Sequence, residues 1–161
     1  MYRLPEVAAA IGLAQLEKID LFVEKRVKMA ELYIDVINSN RCEWLKIQEV
    51  PKNDYNCYYT FAMRYQKNDI PWCDFRKKYI SNGGDGIFAA WSLCYQEDSI
   101  PEILSRLKKM HLGNRFNTNL GICPVAETIQ KELMQLTTNQ KDINEMNIQA
   151  DALDKTIKYF N

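Results

Sequence analysis

Histidine is scarce in this sequence, in which His111 is the only one. A single histidine excludes a metal site with several histidine ligands. His111 follows Lys108 and Lys109 near the end of a predicted helix, where a solvated histidine is expected. Histidine chemistry therefore does not guide the search for a function.

Cysteine is present but shows no pattern. The five cysteines are odd in number, widely separated and never arranged as C-x-x-C, so neither a disulfide framework nor a zinc site is predicted. We expect them to be reduced, with four or five filling space in the core. They are Cys42, Cys57, Cys73, Cys94 and Cys123.

An excess of charge is also missing, because 21 basic residues balance 21 acidic ones. A balanced chain has no global field that would draw it to nucleic acid or to an anionic membrane. No apolar run approaches the roughly 18 residues of a membrane span, and the N-terminus lacks a signal-peptide pattern. We therefore expect a cytoplasmic protein that has neither nucleic acid nor a membrane as a partner.

The residues that are present predict one α+β domain with more helices than strands. Apolar residues make up 47% of the 161 residues, and a chain of this length buries about two thirds of its unfolded surface. No internal repeat or low-complexity linker divides it.

Two helices are predicted at the start of the chain. Pro5 and Glu6 suit a first helical turn, and Val7 and Ile11 belong to a predicted buried face. The small residues of 8–12 form a surface on which another backbone could lie closely, so this surface predicts a partner. In the second helix, which ends at about Ile37, apolar residues recur every three or four positions, and one arginine lies on the same stripe. That stripe is Ile19, Phe22, Val23, Arg26, Met29, Ala30, Tyr33, Ile34 and Ile37.

The middle of the chain contains the clearest strand pattern. Over residues 55–65 every second residue is large and apolar or aromatic, which predicts a strand with Tyr55, Cys57, Tyr59, Phe61, Met63 and Tyr65 on its buried face. An extended segment is predicted over 86–92. Helices are predicted over 71–81, over 101–111, from Pro124 to Leu133 with a polar turn after it, and after an Asp142 cap.

Three features could bind a ligand. The Gly83–Gly86 run follows a helix and lacks the residues of a phosphate-binding loop, so we interpret it as a helix-ending turn. Trp91 and Tyr95, just after "GIFAAW", could line a pocket for a flat or sugar-like ligand, or could simply belong to the core. Arg3, at a helix N-terminus, suits a phosphate or a carboxylate.

Three separated segments carry a resemblance to a known family. "YRLPEVAAAIGLAQLEKIDLFVEKR", "NGGDGIFAAWSLCYQE" and "CPVAETIQKELMQLTTNQ" occur in the order found in the DegT-type sugar aminotransferases, which are fold-type-I enzymes that use pyridoxal phosphate. The sequence is most similar to the perosamine-synthase-like members. The resemblance runs through essentially the whole chain.

The resemblance implies that this chain is the C-terminal, small-domain portion of such an enzyme. It implies connecting helices over 1–38 and a small α+β domain over 39–161, in which a short antiparallel sheet is flanked by helices. The large domain of the family, which holds the Schiff-base lysine, is expected to be missing. None of the 14 lysines lies in a segment that resembles the family's lysine motif, so no catalytic residue is assigned here.

The resemblance also implies the site residues and partners. Family members carry Asn-Tyr-Arg at the start of this region. Tyr2 and Arg3 match, which implies Arg3 as a cofactor-binding residue and Tyr2 as a substrate-binding one, while Met1 replaces the asparagine. Trp91 and Tyr95 are implied as substrate-binding residues, although the histidine common in this stretch is missing.

The implied reaction is amino transfer from an amino acid, with glutamate the expected donor, to a keto sugar linked to a nucleotide. Pyridoxal phosphate would be the cofactor of the parent enzyme, the family implies a homodimer, and the large domain or a second subunit would cover the 8–12 surface. This chain alone is expected to be inactive. The alternative is an interaction or assembly module derived from such an enzyme.

Overall fold

The computed structural model describes residues 4–89, 92–109 and 119–161. This described part contains six α-helices and four short strands. In chain order they are α1 Glu6–Leu16, α2 Ile19–Ser39, β1 Leu45–Ile47, β2 Phe61–Tyr65, α3 Trp72–Ser81, β3 Ile87–Ala89, α4 Ser99–Lys109, α5 Pro124–Gln130, β4 Leu133–Leu136 and α6 Ile143–Phe160, with a 3₁₀ turn at Cys94–Gln96.

The four strands form one antiparallel sheet in the order β1-β2-β4-β3. Met63, at the centre of β2, pairs with Ile47 on one side and with Met134 on the other. Leu136 pairs with Phe61 and with Ile87, so β4 joins the middle of the sheet to its edge strand. This arrangement confirms the α+β class and the short antiparallel sheet.

The core lies on one face of the sheet, which we call the inner face. Alternate residues of β2 and β4 are buried there, as the two-residue period of a strand requires. Helices α2 and α3 both pack against α6 over this face. The buried apolar side chains include Met29, Tyr33 and Ile37 of α2, Phe75 and Tyr79 of α3, and Met146, Leu153 and Ile157 of α6.

A buried polar network ties the glycine-rich run to this core. The Tyr79 hydroxyl donates to Gln149 Oε1 at 2.7 Å, and the backbone N–H of Asp85 donates to the same oxygen at 2.9 Å. Gly83 has a φ of +101°, and a Cβ on Gly84 would overlap the Tyr79 ring. The run ends α3, as predicted, and glycine is required there for space as well as for backbone conformation.

The two N-terminal helices form where they are predicted, but the predicted buried face of α1 is wrong for this chain. No residue of α1 is buried, and Val7 and Ile11 are 73% and 59% exposed. The local signals for a helix are present, whereas no element of the described structure covers it. In α2 only the C-terminal half is buried, at Met29, Ala30, Tyr33 and Ile37.

The strand predicted over 55–65 forms only over its second half. Phe61, Met63 and Tyr65 are buried as predicted, but Tyr55 and Tyr59 are exposed. The backbone turns at Tyr58, which has a φ of +46°, and neither β1 nor β4 extends far enough to pair with residues 55–59. A strand without a hydrogen-bonding neighbour has no ladder to hold it.

Two further expectations need correction. The helix that starts at Pro124 ends at Gln130 and not at Leu133, because Leu133–Leu136 is the strand β4, where the sequence analysis placed the helix end and a polar turn. All five cysteines are free, as expected, but only Cys42 is buried, and Cys57, Cys73, Cys94 and Cys123 are exposed. The core is filled by larger aliphatic and aromatic side chains instead.

The remaining helices follow the sequence signals. The Asp142 carboxylate caps α6 by accepting from the backbone N–H groups of Asn144 and Glu145, both at 3.0 Å. Helix α4 covers most of the predicted 101–111 segment, while His111 lies outside the described residues. None of the helices in the described ranges is long and apolar enough to cross a membrane.

Candidate functional site

The face of the sheet opposite the core, here called the outer face, carries a groove of about 730 Å³. Helix α5 forms one wall through Val125, Ala126 and Ile129, and the outer residues Leu133 and Gln135 of β4 form the floor. Ser92 and Leu93 close one side. Every described lining residue is uncharged, so the groove can bind an apolar surface or a neutral ring but has no ion to place against a charged group.

One carboxylate fixes the segment that leads away from the groove. Tyr95 donates its hydroxyl hydrogen to Glu127 Oε1 at 2.6 Å, across 32 residues of sequence. The same carboxylate accepts from the backbone N–H of Gly121 at 2.8 Å and of Cys123 at 3.3 Å. Glu127 therefore holds the 3₁₀ turn and the residues before α5 in one place, near the helix N-terminus where a negative charge is favoured.

The electrostatics of this cluster agree with its hydrogen bonds. The hydroxyl of Tyr95 and the N–H groups of Gly121 and Cys123 hold the pKa of Glu127 below its ordinary value. Burial and the neighbouring carboxylate raise the pKa of Tyr95 to about 12. Around neutral pH Glu127 is thus ionised and Tyr95 is neutral. Because the Tyr95 hydroxyl already donates its hydrogen to Glu127, it can contact a ligand only as a hydrogen-bond acceptor.

The structure describes one of the four residues assigned to the site from sequence. Tyr95 lies next to the groove segment, but Tyr2, Arg3 and Trp91 lie outside the described residues. Their roles stay predictions.

Sequence reasoning missed two residues that the structure brings forward. Glu127 comes three positions after Pro124, and an acidic residue in the first turn after a proline start is a signal for a carboxylate at a helix N-terminus. Arg26 lies on the apolar stripe of α2, and a charged residue in such a stripe indicates a special contact. Its guanidinium donates to the Tyr59 carbonyl at 2.7 Å and to Thr138 Oγ1 at 3.0 Å.

A metal or a cofactor is not supported by the groove residues. In the described ranges, no group of three or more histidine, cysteine, aspartate or glutamate side chains is placed to hold a metal ion. Pyridoxal phosphate needs a lysine for its aldehyde and positive or N–H groups for its phosphate. The groove has no lysine or arginine among its described residues, so they do not fit this cofactor and no catalytic step is assigned to them.

The N-terminal half of the chain matches a known protein family. Residues 1–81 match the model of the DegT/DnrJ/EryC1/StrS aminotransferase family, which is half of the 161 residues. The chain belongs to this family. Aminotransferases of the DegT/DnrJ/EryC1/StrS family depend on pyridoxal phosphate. Among curated protein sequences no match was found.

Solved structures agree on the fold of this DegT/DnrJ/EryC1/StrS member. Helicobacter pylori PseC, an aminotransferase of pseudoaminic acid biosynthesis, superimposes with a TM-score of 0.70 at 17% identity, over 99% of this chain and 39% of that one. Sugar aminotransferase CalS13 from Micromonospora echinospora gives 0.68 at 11% identity, over 96% and 36%. 3-Amino-5-hydroxybenzoic acid synthase gives 0.67 at 19% identity, over 98% and 40%. The chain therefore spans about two fifths of the length of these proteins.

Proposed function

We propose that this chain is the C-terminal portion of a pyridoxal phosphate-dependent aminotransferase that acts on a keto sugar linked to a nucleotide. The amino donor in this proposal is an amino acid, with glutamate first. The parent enzyme is similar to perosamine synthases, serves polysaccharide biosynthesis and works in the cytoplasm. The observation that carries the proposal is the family match, since it joins this chain to aminotransferases of more than twice its length.

The exposure of helix α1 supports the proposal that another part of the enzyme covers it. A helix with apolar residues on all sides is normally buried, because water does not stabilise it. In α1 and the residues around it, apolar side chains are exposed at Leu4, Val7, Ile11, Leu13, Leu16 and Ile19, which we call the α1 surface. In the proposal this surface lies against the large domain or a second subunit of a homodimer.

The described residues suit a wall of a site more than its reactive centre. The groove is apolar, and Glu127 fixes the turn that carries Tyr95. In the proposal Trp91 and Tyr95 bound the sugar, Tyr2 lies beside the substrate, and Arg3 addresses an anionic group of the cofactor. The lysine that forms the Schiff base would come from the large domain.

Absorbance spectroscopy with added pyridoxal phosphate tests whether the Schiff-base lysine comes from outside this chain. The isolated chain should show no lysine-linked aldimine band and no transamination. With a polypeptide that carries the family's Schiff-base lysine domain added, the band and the activity should appear together. A specific aldimine band from the isolated chain would contradict the proposal.

The assembly module is the second candidate, and the exposed α1 surface is the observation that favours it. The two candidates differ in one result. If the chain binds the lysine-bearing domain tightly but the complex has no transaminase activity with keto sugar nucleotides and amino donors, the assembly module is correct and the aminotransferase portion is wrong.

A further inference from the structure

A second cavity, of about 300 Å³, lies where β2 begins and β4 ends, and it has a different chemistry from the groove. Its lining contains one cation, Arg26, and two aromatic side chains, Tyr59 and Phe88. The other described lining residues carry neutral hydrogen-bonding groups, namely Thr60, Gln135, Thr137, Thr138 and Asn139. No described aspartate or glutamate lines the cavity, so its net charge is positive.

Arg26 is held in place without a carboxylate partner. Its Nη1 donates to the Tyr59 carbonyl and to Thr138 Oγ1, both neutral acceptors. The Tyr59 ring centroid lies 5.4 Å from the guanidinium carbon, so the ring adds a cation–π contact. Within the described ranges Nε and Nη2 have no acceptor. A half-buried guanidinium with fixed orientation and free donors is suited to bind an oxyanion through two hydrogen bonds.

Two amides add to the supply of donors. The side chains of Gln135 and Asn139 have no hydrogen-bond partner among the described residues, and both line the cavity with Arg26. The threonine hydroxyls are already used, since Thr60 donates to the Leu136 carbonyl and Thr138 to the Tyr58 carbonyl. Thr137 donates to Asp85, which also accepts from Gln140 and does not line the cavity. Arg26, Gln135 and Asn139 together offer more donors than a two-oxygen carboxylate needs.

The aromatic side chains indicate what the anion is attached to. Tyr59 and Phe88 are 84% and 53% exposed, although burial of aromatic rings is favourable. A planar ring placed against them would remove that area from water. We propose that the Arg26 cavity binds the phosphate group of a ring-bearing phosphomonoester. This proposal depends on the cavity residues alone and does not require the chain to be part of an aminotransferase.

Titration of the full chain with phenyl phosphate, followed by calorimetry, tests this site. Inorganic phosphate, benzoate and phenol are the comparison ligands. Phenyl phosphate should bind at least tenfold more tightly than each of the three, because only it has both the three-oxygen anion and the ring. If benzoate binds equally well, the assignment to phosphate is overturned. If inorganic phosphate binds equally well, the ligand needs no ring. If phenol binds equally well, the cavity is not an anion site.

Substitutions locate the binding. Arg26→Gln should weaken phenyl phosphate at least tenfold, but it also removes bonds that hold Tyr59 and Thr138. Asn139→Asp avoids this difficulty, since Asn139 is exposed and its substitution places a negative charge in the cavity. It should weaken binding to a similar degree. The matched control is Asn38→Asp, an exposed position 12 residues beyond Arg26 on α2 and therefore about 18 Å away along the helix. Equal affinity in the two aspartate variants, or no binding to the unmodified chain, would overturn the proposal.

Discussion

Helices α1 and α6 are both rich in apolar residues, yet α6 has a buried face in this structure and α1 is exposed. Met146, Ala152, Leu153 and Ile157 of α6 are buried in the core with residues of the sheet and the neighbouring helices. In α1 no residue is buried. The comparison teaches that local sequence decides whether a helix forms, while its burial depends on which other elements are present to pack against it.

A pair of leucine substitutions measures how much each helix contributes to the free energy of unfolding. Leu153→Ala removes a fully buried side chain from α6 and should lower the free energy of unfolding by about 2–5 kcal/mol. Leu13→Ala removes an exposed side chain from α1 and should change it by less than about 0.5 kcal/mol. Urea denaturation measures both. A cost for Leu13→Ala that approaches that of Leu153→Ala would show that α1 is packed in the chain itself.

A pair of glycine substitutions sharpens the same contrast. A Cβ at Gly84 would overlap the Tyr79 ring, so Gly84→Ala should destabilise the chain by about 1–3 kcal/mol. At Gly12 the added Cβ meets nothing within 4 Å, and alanine favours a helix over glycine by about 1 kcal/mol. Gly12→Ala should therefore leave the melting temperature unchanged or raise it slightly. If the two variants lose stability equally, the packing difference between the regions is refuted.

The smallest expected effect concerns the Tyr95–Glu127 pair beside the groove. Tyr95→Phe removes the hydroxyl that binds Glu127 and should lower the urea midpoint by less than Leu153→Ala or Gly84→Ala. Tyr55→Phe is the control, since the exposed Tyr55 hydroxyl has no partner in the described part of the chain.

The difference between Tyr95→Phe and the unmodified chain should depend on pH. The pKa of Glu127 is lowered in the folded chain. The ionised carboxylate therefore stabilises the fold above its ordinary pKa of 4.5, and this contribution is lost as the pH falls through the lowered pKa. Because the pKa of Tyr95 is raised, its contribution is complete below its ordinary value of 10.0 and is lost as the pH rises through about 12. A difference that is unchanged in acid would argue against the pair.

The sequence predicts some features of this fold well and others poorly, for physical reasons. Caps and periodicity identify α2, α3 and α6 because those signals are local, as the Asp142 cap shows. The strands β1 and β4 were missed because segments of three and four residues are strands only through their neighbours across the sheet. At the site, Tyr95 stands out as an aromatic residue in a recognised motif, but Glu127 and the Arg26 cavity require knowledge of which distant residues meet.

Hydrogen exchange of the α1 amides tests most directly the claim that this chain is built to be covered by another part of an aminotransferase. In the isolated chain we expect the α1 amides to exchange much faster than those of the buried part of α6. In the complex with the polypeptide that carries the Schiff-base lysine, α1 should become protected while α6 stays as it was. Amides of α1 that exchange as slowly as those of α6 in the isolated chain, or that gain no protection in the complex, would contradict the account.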